Sequence, residues 1–328
     1  MKEAMFYQNP KGDLVVCSLC PHGCRIKNGN FGICRVRKNI DGILYTTNYE
    51  RISSWALDPI EKKPLYHFYP GSLIFSVGSF GCNFRCKFCQ NWQIAQVAQV
   101  PTQEVSPLKL VEIAESQKDN LGIAFTYNEP TIWYEYVYDV VRISKERGLK
   151  NVLVTNGFIE EKPLREIIPY IDAMNIDLKA FKEDFYRDIT AGKLSPVLRT
   201  IEISKKFCHV EITTLLIPGL NDEDDEIERL AFWISSIDKR IPLHFSKYFP
   251  NYKLNLPPTP VERVKRARQI ARNFLYYVYT GNIDDEEGST TYCKKCGAPL
   301  IKRNYYNTRK LIKGDVCEKC HEKLDIVM

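Results

Sequence analysis

Between residues 73 and 279 the chain alternates short apolar runs rich in β-branched residues with longer stretches in which apolar positions recur every three or four residues. The short runs predict strands at 73–77, 122–126, 151–155, 173–178, 210–216 and 242–245, with a further candidate at 276–279. The longer stretches predict amphipathic helices over 107–118, 132–147, 163–170 and 222–237, each long enough to cross back between parallel strands. Parallel βα units read this way, and six or so of them predict an α/β fold built on a full or partial parallel barrel. Residues 1–70 and 286–328 fall outside the alternation and flank a core at 71–285. Each flank carries four cysteines, so both are expected to be small metal-stapled modules, since pieces this short seldom hold a fold by hydrophobic burial alone.

At 328 residues, 44% hydrophobic and 26% charged, the composition is that of an ordinary folded enzyme and argues against disordered, collagenous and membrane classes. The net charge of +6 would help contact with an acidic partner but falls short of the footprint of a dedicated nucleic-acid binder. The opening residues hold no apolar run fit for a signal peptide, and no stretch reaches the roughly 18 apolar residues of a membrane span, so a cytoplasmic protein with no membrane partner is expected. In a reducing compartment the 12 cysteines are expected to bind metal or carry redox chemistry rather than form disulfides.

Cys82, Cys86 and Cys89 follow the first candidate strand directly, at the C-terminal mouth of a parallel sheet, where βα folds keep their chemistry. Gly81, Arg85, Lys87, Gln90 and Asn91 around them make a poor buried helix face, which weighs against three small core residues at helical spacing. Three thiolates suit a cubane iron–sulfur cluster whose fourth iron stays free for an exogenous ligand. Cys17, Cys20, Cys24 and Cys34 can supply a tetrathiolate site for zinc or for a second iron–sulfur cluster, with His22 either replacing a cysteine or standing exposed in the loop. Cys293, Cys296, Cys317 and Cys320 form two Cys-x2-Cys pairs, with Gly297 after the first, and read as a zinc ribbon that stabilises the tail or recognises a partner. Cys208 and His209 have no partner spacing and are expected to be a buried thiol and an ordinary histidine. Lys265, Arg266, Arg268 and Arg272 read as the solvated face of a basic helix, and less often such a face docks an acidic partner.

With Phe88 before the third cysteine, residues 82–89 resemble the Cys-x3-Cys-x2-Cys signature of radical S-adenosylmethionine (radical SAM) enzymes. The resemblance implies a partial (β/α)6 barrel of the TIM type with Cys82, Cys86 and Cys89 holding a catalytic [4Fe–4S] cluster. It also implies S-adenosylmethionine chelated to the free iron and cleaved reductively to a 5′-deoxyadenosyl radical, which takes hydrogen from an unidentified substrate. Thr126-Tyr127-Asn128-Glu129-Pro130 stands in place of the family's Gly-Gly-Glu-Pro, and Glu129 is expected to pair with the cofactor's ammonium. Tyr127 and Asn128 depart from the usual glycines, so a different backbone approach is open there. Thr155-Asn156-Gly157 resembles the ribose-contacting motif of the glycyl-radical-enzyme activases, and Asp177-Leu178-Lys179 resembles their Asp-Leu-Lys, whose lysine approaches the cofactor carboxylate. Ile217-Pro218-Gly219-Leu220-Asn221-Asp222 resembles the segment flanking the adenine, and the acids from Asp222 to Glu226 are expected to favour a helix N-terminus. His244 resembles a histidine at the mouth of the activase site. Phe88, Glu129, Thr155, Asn156, Lys179 and His244 are therefore the expected cofactor-binding residues.

A closer resemblance covers nearly the whole chain. Cys17-Ser18-Leu19-Cys20-Pro21-His22-Gly23-Cys24 with Gly32-Ile33-Cys34-Arg35-Val36-Arg37, and Tyr279-Thr280-Gly281-Asn282, look like the AmmeMemoRadiSam-system radical SAM enzymes, often labelled pyruvate-formate-lyase-activase homologues. That resemblance implies a low-potential electron donor and the neighbouring-gene proteins of the system as partners. Val154 stands where activases carry an aspartate, which separates this chain from their cation site. The rival readings are a glycyl-radical activase, an RNA-modifying radical enzyme that grips its substrate with the ribbon and the basic helix, and a non-catalytic iron–sulfur or metal-binding protein.

Overall fold

The computed structural model describes residues 1–97 and 99–328. Its centre is one sheet of eight strands: β1 (Ser54–Pro59), β2 (Leu73–Gly78), β3 (Asn120–Phe125), β4 (Lys150–Thr155), β5 (Ala173–Asp177), β6 (His209–Leu216), β7 (Leu243–Lys247) and β8 (Val278–Gly281). They lie side by side in chain order, with β2 to β8 parallel and β1 antiparallel to β2 from Ser54 opposite Gly78 to Pro59 opposite Leu73. Among the described residues β1 and β8 do not pair, so the sheet curves as an open, partial barrel.

Six helices make the crossovers: α1 (Pro107–Ser116), α2 (Tyr134–Glu146), α3 (Glu161–Ile167), α4 (Leu194–Ser204), α5 (Asp224–Ile237) and α6 (Val261–Ala271). The six strands and the further candidate read from the apolar runs are all present, and the four helices start and stop within a few residues of the expected positions. The α1 start shows the local logic, since Ser106 accepts the Lys109 N–H and Pro107 occupies the first turn, where its missing N–H costs nothing. Buried on both faces, the strands are filled by residues such as Ile123, Ala124 and Phe125. Helix α4 lies outside the four predicted helices; its Pro196 sits in the first turn, where it is tolerated.

Residues 1–47 form two small antiparallel sheets, one of Tyr7–Lys11, Leu14–Cys17 and Arg25–Lys27, the other of Lys2–Glu3, Ile43–Thr46 and Arg37–Ile40. Val15, Leu19 and Val36 belong to the same apolar cluster as the barrel. A fully buried ion pair joins them, with Arg37 Nη2 2.5 Å from Glu135 Oε1 on α2. The C-terminal residues form a three-stranded sheet of Thr291–Tyr292, Pro299–Asn304 and Asn307–Lys310 with a core of its own around Leu300, Ile301 and Leu324. Its last residues return to the barrel, where Val327 bridges to Phe68. Among the described residues no helix is long and apolar enough to cross a membrane.

Candidate active site

The loop that follows β2 is tied down by backbone bonds. Arg85 and Lys87 donate to Thr190 O and Ile189 O at 2.7 and 3.0 Å, Gly81 donates to Ile94 O at 2.8 Å, and Cys89 closes a turn on Cys86 O at 3.2 Å. Asn128 braces the same loop, donating from Nδ2 to Gly81 O and accepting the Ser79 N–H. Gly81 has φ +85°, and a Cβ there would come within 2.7 Å of Val36 Cγ1 and 2.8 Å of Cys34 O, because the N-terminal module presses on it. Tyr127 holds a left-handed backbone at φ +69°; its hydroxyl donates to Asp58 Oδ2 at 2.8 Å, an acceptor shared with the Lys63 ammonium.

Cys82, Cys86 and Cys89 line one cavity of about 1020 Å3 at the C-terminal ends of the strands. Burial pushes all three thiols up, Cys86 to about 12, so a set of thiolates there calls for a cationic group among them. Among the described residues their sulfurs do not gather within 4.8 Å of one another, as ligands of one ion would. Three soft donors around open space, spread wider than one ion spans, fit a multi-iron cluster with one corner open.

Phe88, Glu129, Thr155, Asn156, Lys179 and His244 line the same cavity. Glu129 is buried at the end of β3, where its Oε1 accepts from Thr155 Oγ1 at 2.6 Å and Thr131 N–H at 3.0 Å and its Oε2 from Asn156 N–H at 2.8 Å. Burial raises its pKa against the pull of these donors, which leaves the carboxylate in want of a positive partner. The Asn156 side chain spans Asn83 Oδ1 at 2.8 Å and Cys82 Sγ at 3.8 Å, so the β4 end touches the cysteine loop directly. Lys179 donates to Asp177 Oδ2 at 2.6 Å and hangs 5.9 Å over the Phe88 ring; burial alone would lower its pKa, but Asp177 raises it. His244 donates from Nε2 to Glu211 Oε2 at 2.6 Å, between the rings of Tyr66 and Tyr279.

The segment from Ile217 is drawn in rather than lining the cavity: Asn221 accepts the Ile217 N–H and donates to Lys179 O and Leu215 O. Nor does His22 stand exposed in its loop. It is half-buried, donates from Nε2 to Asn83 O at 2.7 Å and packs edge-on against Phe158. Arg268 departs from the solvated face expected of it, being buried with its guanidinium on Val278 O and Glu287. The acids opening α5 divide likewise, for Glu226 turns inward to accept the Phe181 N–H. Cys208 and His209 lie apart from the cavity, bonded to Ser204 O and Glu211.

Two parts of the site escaped the sequence reading. Glu211 on β6 is wholly buried and accepts from His244, His209 and the His67 N–H; burial would raise its pKa, but these donors hold it well below the usual carboxylate range. A lone carboxylate inside a strand of apolar and β-branched residues was the available signal. The other is the far wall, where Arg303 from the C-terminal sheet reaches in over the Tyr66 ring at 4.1 Å, bonds Tyr66 O and Thr291 Oγ1, and lies 3.7 Å from Glu61. The four cysteines of that C-terminal module come together, with Cys293 and Cys320 sulfurs 3.6 Å apart, Cys296 and Cys317 3.7 Å apart, and all four within 4.8 Å.

The sequence profile described as the radical SAM superfamily matches residues 76–231. Along its whole length the chain is 44% identical to an uncharacterized protein of Methanocaldococcus jannaschii, which is covered in full. It is 30% identical, over 60% of this chain and 76% of the other, to a protein of the same organism named as a glycyl-radical enzyme activating enzyme. Among solved structures, Streptococcus suis SuiB bound to S-adenosylmethionine shares the fold with a TM-score of 0.52 and 14% identity, over 64% of this chain and 52% of that one.

Proposed function

The chain belongs to the radical SAM superfamily, and from that premise we propose that Cys82, Cys86 and Cys89 hold a [4Fe–4S] cluster beside S-adenosylmethionine in the cavity they line. Bound there, the pair would supply one-electron cleavage of the sulfonium to methionine and a 5′-deoxyadenosyl radical, with the electron drawn from an external low-potential donor. The observation that carries this reading is the convergence of three thiols, the buried Glu129 and Lys179 on a single cavity.

In this reading Glu129 accepts from the cofactor's ammonium, a charge-assisted bond for a carboxylate otherwise held by neutral donors. Lys179 offers its remaining N–H bonds to the cofactor carboxylate while Asp177 keeps it charged and in position. Thr155 and Asn156 hold Glu129 in place and present the β4 end to the ribose. Phe88 lines the cavity beside the cysteines, and the buried aromatic wall around His244 keeps water from a reactive carbon radical. The protein thus contributes placement and exclusion while the cofactors carry the chemistry that breaks the bond.

The test is oxygen-free purification followed by dithionite and S-adenosylmethionine. Formation of 5′-deoxyadenosine that disappears in Cys82→Ala supports the reading, and a chain that binds no S-adenosylmethionine at all overturns it. A second reading, hydrogen abstraction from a protein backbone to make a glycyl radical, is supported by the relative named as an activating enzyme. A persistent glycyl signal in electron paramagnetic resonance on adding a partner chain would select it.

A further inference from the structure

We propose that Cys17, Cys20, Cys24 and Cys34 hold a second iron–sulfur cluster, placed to hand electrons to the cluster of residues 82–89. The two four-cysteine modules differ in one decisive dimension. A tetrahedral zinc with Zn–S bonds of about 2.3 Å sets its sulfurs about 3.8 Å apart, which the C-terminal four match at 3.6 and 3.7 Å. The N-terminal four are neighbours, with Cys17, Cys24 and Cys34 all within electrostatic reach of Cys20, yet among the described residues no three of them close to within 4.8 Å. The same wider spacing holds for Cys82, Cys86 and Cys89. A cubane carries its irons on separate corners and so keeps its thiolates farther apart than one ion can. The N-terminal set therefore resembles the cavity's cysteines, and not the ribbon, in its dimensions.

The surroundings give this site an inner and an outer side. On the inner side His22, two residues after Cys20, bonds through its ring to Asn83 O at 2.7 Å, and Asn83 is the neighbour of Cys82. Arg85 lies within electrostatic reach of Cys34 on one flank and Cys82 on the other, and a Cβ at Gly81 would come within 2.8 Å of Cys34 O. On the outer side Cys24 is partly exposed and accepts the Ile33 N–H at 3.5 Å, beside the exposed Phe31 and Ile33. A one-electron, low-potential donor would reduce this cluster from outside. The same electron would then pass along the His22 and Asn83 contact to the inner cluster and from there into the sulfonium, whose C5′–S bond breaks to methionine and the carbon radical. The relay rests on the proposed function, whereas the second cluster stands on its own geometry.

The first experiment counts iron, sulfide and zinc in the whole chain purified without oxygen. About eight irons and one zinc per chain are expected, and about four irons with two zincs would overturn the proposal. The Cys82→Ala/Cys86→Ala/Cys89→Ala variant needs no substitution in the N-terminal module. It should keep about four irons, with a reduced paramagnetic signal that S-adenosylmethionine does not shift, and loss of all its iron would overturn the second cluster. If instead it kept about eight, the cluster assignment of the proposed function would fall while the N-terminal site survived. In Cys20→Ser/Cys24→Ser the remaining cluster should still shift its signal with S-adenosylmethionine, and its reduction by dithionite should slow at least tenfold. An unchanged rate would overturn the relay.

Discussion

His67 and Glu211 illustrate how much a buried polar side chain can commit a fold to one protonation state. His67 is wholly buried and neutral, donating from Nδ1 to Asp325 O and accepting from the Tyr279 hydroxyl at Nε2, and burial lowers its pKa to about 4. Its contribution is fully present above the unfolded value near 6.5 and is lost as pH falls towards about 4, because the unfolded chain takes up the proton first. Stability should therefore drop by up to about 3 kcal/mol across that window, and His67→Gln should flatten the pH profile of denaturant melts. Glu211 acts in the same direction at lower pH, since its carboxylate must be protonated against three donors. At the same scale Glu129→Ala should weaken S-adenosylmethionine binding at least tenfold in equilibrium dialysis while sparing the visible absorbance of the cluster; loss of that absorbance would make Glu129 a scaffold residue instead. The cysteines and Glu129 were legible because their chemistry is local in sequence. Glu211 and Arg303 were not, because their meaning lies in partners 33 and 237 residues away.

The strands of the central sheet were legible because burial on both faces leaves near-continuous apolar runs bounded by turns. Helix α4 was hidden by Ser195-Pro196, and β1 by a short, largely half-exposed run ending in Asp58-Pro59, which only pairing along β2 turns into a strand. The seam between the N-terminal module and the barrel is just as invisible in one dimension. It consists of the Arg37 and Glu135 pair, both below 2% exposed, and the close approach at Gly81. Arg37→Ala should cost about 3–5 kcal/mol in unfolding, because it strands a buried carboxylate. Gly81→Ala should cost about 1–3 kcal/mol for the left-handed backbone alone, with more from the clash on Val36 and Cys34. Limited proteolysis between residues 47 and 54 should speed up in both variants, and an unchanged cleavage rate would show that the seam is held elsewhere.

At the scale of the molecule one cavity is walled by parts distant in sequence: the cysteine loop, the strand ends, the segment from Glu61 to Tyr66, and Arg303 with Tyr305 and Tyr306 of the C-terminal sheet. If Cys293, Cys296, Cys317 and Cys320 hold an ion, removing it by chelation or Cys317→Ser should lower amide-exchange protection at residues 300–303 and 66–68 together. A loss of protection confined to residues 291–326 would mean that the wall does not depend on it. The cysteine loop and the strand ends sit on the barrel, but the wall opposite them belongs to a module with its own core and its own four cysteines. Such a chain can change its diet without changing its teeth: drift in the hairpin around Tyr305 and Tyr306 would reshape what is admitted while the cofactor chamber is inherited intact. Exchanging that hairpin between relatives is thus the shortest route to finding which molecules each of them accepts.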